Sequence, residues 1–286
     1  MNCDMEKRLY TRRDLMSAFN AARFVLRHYA LGYYMSEGTG VRELPVNRML
    51  FPLDNPGGRA NYIRDGRDFF PLVPGKMYFI PACYPAEVNF SPDVYFLSVQ
   101  SSFEVFPGVD LFSGCSRILE TDARNEAEEL ERIFHSPPEE LYGMAVALGS
   151  FVLHILADVR TRFAPEEFWK VFALREYGDL TEYLHKNGTA ATRVSDLAAA
   201  RNESRENFTR HFSARTGITP KALIDRIVTG KCLSLIGEGY SFKEIADILE
   251  FPDEYVFSRY FKRNVGISPR VWRDSVKKDL RNSRRP

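Results

Sequence analysis

The spacing of apolar residues changes character along the chain. Between Arg13 and Leu31 there is no Pro or Gly, and Leu15, Phe19, Ala22, Val25, Leu26 and Tyr29 recur at helical intervals. That spacing predicts an amphipathic helix. From Asn47 to about Ser101 the runs become short, aromatic and β-branched. They are broken at Asp54-Asn55-Pro56-Gly57-Gly58, Asp65-Gly66, Pro74-Gly75, Pro81 and Ser91-Pro92. Short runs punctuated in this way predict a small antiparallel barrel or sandwich. After Thr121, Asp122 reads as the N-cap of a charged helix, Glu126 to Phe134. Ser136-Pro137-Pro138 then leads into a more apolar helix, Leu141 to Val159, whose stripe fits either packing inside the domain or a dimer interface. Arg160 to Pro165 reads as a linker, and everything from Glu166 onward reads as helix.

The 286 residues suggest two domains, each long enough to bury a core. Overall charge is nearly balanced, with 39 Lys and Arg against 38 Asp and Glu. The balance hides an asymmetry. From Arg175 onward there are 21 basic and 15 acidic residues, a surplus of +6, while the remainder carries −5. A basic module beside an acidic one fits either mutual attraction of two domains or nucleic acid as partner of the basic half. The four cysteines, Cys3, Cys83, Cys115 and Cys232, are widely spaced and suggest neither a zinc site nor a disulfide framework. Free thiols suit a reducing cytoplasm. No apolar stretch reads as a leader or a membrane span, so a cytoplasmic protein is expected.

One motif occurs twice in the basic half. Phe208-Thr209-Arg210-His211-Phe212 is followed by Gly217-Ile218-Thr219-Pro220. Phe257-Ser258-Arg259-Tyr260-Phe261 is followed by Gly266-Ile267-Ser268-Pro269, offset by 49 residues. Upstream, Leu197-Ala198 answers Ile245-Ala246 at an offset of 48, so the second copy has one extra residue in its turn. In the first copy Ser195 is expected to cap a short helix, Asn202-Glu203 to turn, and Ser204 to cap a second helix ending at Gly217. The second copy runs from Ser241 through Pro252-Asp253 in the same way. Two short helices joined by a tight turn predict a helix-turn-helix. Phe pairs at i and i+4 face the core. That leaves Arg205, Glu206, Thr209 and Arg210, and in the second copy Glu254, Tyr255, Ser258 and Arg259, for base edges in a major groove, with a structural or phosphate-facing role as the alternative for Arg210 and Arg259, which both copies retain. Ser195, Ser241, Lys262, Arg263, Lys277 and Lys278, with the tail Arg281, Arg284 and Arg285, are placed for phosphates.

On these residues, roughly Phe172 to Arg273, the chain resembles the DNA-binding domain of the AraC/XylS family of bacterial transcription regulators. The likeness includes Ile-Ala-x-x-x-x-Phe, Phe-Ser-Arg-Tyr-Phe-Lys-Arg and Gly266-Ile-Ser-Pro-Arg-Val-Trp-Arg273, with Trp272 where the family usually has Tyr. The resemblance implies two helix-turn-helix units joined by a long helix, here about Thr219 to Ile236, entering successive major grooves about 34 Å apart. Arg226 sits where the family keeps an Arg. Glu250 stands where the second unit usually carries Gly, and Gly230 replaces a small Ala in the linking helix.

In this family the N-terminal half is often a cupin-like barrel that senses a small molecule or dimerises, and Leu72 to Pro81 resembles a cupin segment. A cupin metalloenzyme is the rival reading. It needs converging His ligands, yet no His lies between His28 and His135, and Ala82-Cys83-Tyr84 stands at the second motif. No metal, cofactor or catalytic residue is therefore expected. Strand alternation offers Arg59, Tyr62, Arg64, Tyr78, Tyr84 and Tyr95 either as the lining of a pocket for a sugar-like ligand or as core aromatics and rim charges. The reading is an α+β multidomain protein. Residues 1–160 form a cupin-like β-barrel (41–120) with flanking helices (122–160), 161–170 a linker, and 171–286 an all-α double helix-turn-helix domain. Its expected partners are double-stranded DNA at a promoter or operator, a small-molecule inducer, a second copy of the chain and RNA polymerase, with no membrane. A ligand-independent dimeric regulator is the remaining alternative.

Overall fold

The computed structural model describes residues 16, 20–33 and 40–274. Among the described residues ten strands, all in antiparallel pairs, precede the long helices. One sheet runs β1(Arg23–Tyr33)-β8(Tyr95–Phe106)-β3(Asn47–Asp54)-β6(Lys76–Ile80)-β10(Leu119–Asp122), with β9(Val109–Asp110) paired to β8. The other runs β2(Gly40–Arg42)-β7(Ala86–Asn89)-β4(Tyr62–Arg64)-β5(Phe69–Pro71). The structure thus places two sheets where a barrel or sandwich was expected.

Residues 23–33 correct the expectation of a helix. They form β1, which pairs with β8 from Arg23 opposite Glu104 to Tyr33 opposite Tyr95. The register slips between Leu26 and His28, leaving Arg27 as an extra residue. A bulge inverts the two-residue alternation beyond it. Phe24 on one side of the slip and Tyr29 and Leu31 on the other consequently meet the same core despite opposite parity. The resulting spacing imitates a helix.

Sheet one is covered on both faces, so successive residues of one strand serve different cores. Met49 and Phe51 of β3 and Phe79 of β6 pack with Leu130 and Ile133 of α1(Arg124–Phe134) and Val152 and Ile155 of α2(Leu141–Thr161). Leu50, Tyr78 and Ile80 face the opposite way, onto Ile63 and Val88 of sheet two. Asp122 does not cap α1. It ends β10, and the residue before the helix is Ala123, which makes no side-chain cap bond.

The stretch 161–170, expected as a linker, is helical from Pro165. Helix α3(Pro165–Ala173) puts Phe168 in the core beneath sheet one and Val171 in that of the C-terminal helices. Glu167 accepts hydrogen bonds from the backbone N–H (3.0 Å) and hydroxyl (2.9 Å) of Ser116, tying α3 to the strand domain. Beyond it come α4(Gly178–Asn187), α5(Val194–Ala199), α6(Arg205–Thr216), α7(Pro220–Gly237), α8(Phe242–Ile248) and α9(Glu254–Val265), with 269–274 also helical. Leu44, Val46 and Val109 of the strand domain join the core of these helices, so apolar packing is continuous across the junction.

Candidate nucleic-acid interface

The two repeat units share their backbone in detail. At the end of α5, the N–H of Glu203 returns to the carbonyl of Ala198 (3.0 Å). At the end of α8, that of Phe251 returns to Ala246 (2.8 Å). Between these bonds, Asn202 (φ 54°) and Glu250 (φ 55°) both adopt the left-handed conformation. Asn tolerates that region and Glu does not favour it, which explains why Gly is the usual occupant. Glu250 is held there by a bond from the Thr189 hydroxyl (2.7 Å). The extra residue of the second copy is Pro252, placed between the turn and its cap.

Each second helix then begins on a side-chain cap. Ser204 accepts from the N–H of Asn207 and Asp253 from that of Val256 (2.7 Å). Each ends on a left-handed glycine, Gly217 (φ 74°) and Gly266 (φ 86°). Such caps satisfy the orphan amide and carbonyl groups of a short helix. Phe208, Phe212, Phe257 and Phe261 are fully buried. Tyr177 packs on Phe212 at 4.7 Å between centroids and Phe251 on Phe257 at 5.5 Å. With those faces fixed inward, Arg205, Glu206, Arg210, Glu254, Tyr255 and Arg259 are exposed, and Thr209 and Ser258 are half-buried.

The outward faces are not alike. Arg210 donates to the side-chain carbonyl of Asn207 (2.9 Å), one turn earlier. In the second unit Val256 occupies the position of Asn207, and Arg259 lies instead over the Tyr255 ring at 5.7 Å. Asn207 is thus a positioning residue that repeat comparison alone did not reveal; its i, i+3 spacing from Arg210 was the available signal. The Thr209 hydroxyl bonds to the Arg205 carbonyl of its own helix (2.7 Å), leaving its methyl free for contact.

Several basic residues are engaged structurally. Arg201 donates to Asp179 and to the carbonyl of Glu176 and lies over Tyr177. Arg273 lies 3.6 Å from the centre of the Phe242 ring and donates to the carbonyl of Tyr240. Ser241 caps α8 as expected, exchanging bonds with Glu244. Ser195 does not cap α5. Arg193 precedes that helix, its N–H donating to Asp196 (2.9 Å), and Ser195 is an exposed residue of the first turn. Lys262 and Arg263 are exposed on α9. Lys277, Lys278, Arg281, Arg284 and Arg285 lie outside the described residues. Helix α7 matches the expected connector, opened by Thr219, whose hydroxyl accepts from the N–H of Ala222.

The six residues expected at a sugar-like pocket are not gathered into one cavity. Tyr62 and Arg64 point away from buried Ile63, and both bond Glu87. Arg59 lies over Phe69. Tyr78 is buried, with its hydroxyl between the carbonyl of Pro71 and the N–H of Val73. Tyr84 donates to Asp65, and Tyr95 packs on Tyr33 at the far end of sheet one. Among the described residues no group of three His, Cys, Asp or Glu is arranged to hold a metal ion.

Residues 197–275 match the family described as a helix-turn-helix domain. The raffinose operon transcriptional regulatory protein of Pediococcus pentosaceus is 25% identical over 154 residues, covering 53% of this chain and 54% of that protein. The MmsAB operon regulatory protein of Pseudomonas aeruginosa is 28% identical over 99 residues, 34% of this chain and 32% of its own length. The matched region therefore spans about half of one relative and a third of the other. In fold the chain is similar over both domains to ToxT of Vibrio cholerae. The fatty acid-bound structure has a TM-score of 0.59 at 12% identity, covering 89% of this chain and 96% of that one. A second ToxT structure gives 0.57 at 13%, covering 90% and 98%. With its helix-turn-helix domain behind a sheet-rich N-terminal domain, the chain is similar in sequence, over part of its length, to two operon regulatory proteins and in fold to ToxT.

Proposed function

We propose that this chain is a cytoplasmic, sequence-specific DNA-binding transcription regulator that acts as a dimer under small-molecule control. The observation that carries the reading is the pair of units with the same turn, caps and buried Phe frame but different outward side chains. A shared scaffold fixes both helices in one way, and different faces read different bases. Arg205, Glu206, Thr209 and Arg210 take one groove, and Glu254, Tyr255, Ser258 and Arg259 the next. Ser195, Ser241, Lys262, Arg263, Lys277 and Lys278 serve phosphates, and no catalytic role is assigned.

Small-molecule control is supported by the ToxT structures, two of which hold a carboxylate, an unsaturated fatty acid in one case. Nothing in the placement of the six barrel residues favours a sugar. Dimerisation is supported by α2, whose later turns bury Val152, Ile155 and Val159 while Leu141, Tyr142 and Val146 are 61%, 86% and 70% exposed. By length and composition α2 is also apolar enough to cross a membrane. Its packing onto sheet one favours a partner protein surface instead.

The test is to select binding sites from random DNA and then substitute Arg205→Ala and Glu254→Ala separately. Base readout predicts relaxed preference at two different positions, each costing about 1–3 kcal/mol. A uniform loss across sequences assigns the residue to phosphate, and an affinity insensitive to salt refutes DNA binding by this surface.

A further inference from the structure

The two helix-turn-helix units meet at more than the helix that joins them. The loop 188–193, which leads into α5 of the first unit, bonds to the turn of the second. The N–H of Ala190 donates to the carbonyl of Leu249 (2.9 Å), and the Thr189 hydroxyl to the carboxylate of Glu250 (2.7 Å). Lys231 of α7 secures the same loop by donating to the Gly188 carbonyl (2.7 Å). Both ends of the Thr189–Glu250 bond stand on fixed backbone. The loop closes on itself, with the Thr189 N–H donating to the Thr192 hydroxyl (2.9 Å) and the Thr192 N–H to the Thr189 carbonyl (3.2 Å). The turn is closed by the bond from the N–H of Phe251 to the carbonyl of Ala246 (2.8 Å). Glu250 is exposed and lies in the left-handed region (φ 55°), where glycine would be unstrained. The first unit closes the same turn around Asn202, so the turn itself does not require a carboxylate. What the carboxylate adds is a bond across to the other unit.

We propose that Thr189 and Glu250 are positioning residues that clamp the two units and fix the spacing and angle between α6 and α9, so that the chain accepts its two DNA boxes at one separation only. The proposal rests on the reading of the chain as a sequence-specific DNA-binding regulator. Helix α7 and the shared core hold the units close, but a bond made turn to turn, outside α7, resists their rotation about it. One base pair inserted between two boxes moves the second by about 3.4 Å and turns it by about 35°. A clamped pair cannot follow both displacements and forfeits the base contacts of one helix. An unclamped pair follows in part, at some loss of preorganisation.

The experiment measures the affinity of the full chain for a site selected from random DNA, and for the same site with one base pair inserted or removed between its boxes. The parent should lose at least about tenfold at either altered spacing, as expected when one helix gives up its base contacts. Glu250→Ala and Thr189→Val should each reduce that penalty to about threefold or less, while Glu250→Gln, whose amide oxygen still accepts, keeps the parent's penalty. A purely stabilising role would lower affinity alike at all three spacings and leave the ratio where it was. In the absence of DNA, hydrogen exchange of the Ala190 amide should quicken in Glu250→Ala and Thr189→Val, with that of Glu203, bonded within the first unit, unchanged. Unchanged spacing ratios in both variants, a Gln variant as permissive as the Ala variant, or an Ala190 amide that exchanges no faster would each overturn the clamp. A parent chain with no preferred DNA sequence refutes the regulator reading and the spacing role with it, whatever the exchange shows.

Discussion

Replacing Gly230 by alanine should stabilise the C-terminal domain. Gly230 lies inside α7, with helix on both sides (Pro220–Gly237). A glycine in a helix interior costs about 1 kcal/mol relative to alanine, because the unfolded chain has more freedom to lose. That gain is realised only where a methyl group fits, and a Cβ built at Gly230 meets nothing within 4 Å. No clash subtracts from the propensity and no new packing adds to it. The expected change is therefore about 1 kcal/mol, or a rise in Tm of about 2–4 °C for a chain of this size. Gly188 supplies the contrast. Its Cβ would stand 2.4 Å from the Leu184 carbonyl oxygen, so Gly188→Ala should destabilise. Urea and thermal melts of the two variants beside the parent decide the matter. A Gly230→Ala variant no more stable than the parent refutes the argument that α7 bears an uncompensated helix penalty.

Other expectations are equally direct. Glu250→Gly should be more stable than Glu250→Ala by about 1 kcal/mol, since both lose the bond from Thr189 but only glycine relieves the positive φ; equal stabilities in a denaturant series would contradict this. Gly108→Ala combines a positive φ (72°) with a Cβ only 2.7 Å from Ile227 of α7, so limited proteolysis should find the domain junction opened. Val146→Glu on the exposed start of α2 should shift sedimentation from dimer to monomer without changing the thermal melt. A monomeric parent chain would remove that interface. Asp110 is buried and, despite bonds from Asn47, Phe103 and Phe112, desolvation pushes its carboxyl up to about 7. A carboxyl that binds its proton more tightly when folded contributes stability that falls as pH rises from about 4 to 7. The cost of Asp110→Asn should shrink over that window, as pH-resolved denaturant melts can show.

Most of the candidate interface was legible in the sequence because its determinants are local. The i, i+4 Phe pairs, Ser204 and Asp253 as caps, and Gly217 and Gly266 as stops each act within a turn or two. The offset of 48 becoming 49 foretold one extra residue, which the structure identifies as Pro252. Local signals also misled. Ser195 and Asp122 have the chemistry of caps but lie one or two residues from the actual helix starts. Arg201 and Arg273 are held by aromatic rings and carbonyl oxygens that no local pattern announces.

The sequence by itself determined the repeated helical units and their buried and exposed faces, since helix periodicity and capping depend on neighbours within a few positions. Only the tertiary structure decided that residues 23–33 are a strand, because pairing with β8 is nonlocal and the bulge at Arg27 disguises the alternation. Tertiary packing alone also assembled the junction, where Arg27 meets Ser234 across 207 positions of chain.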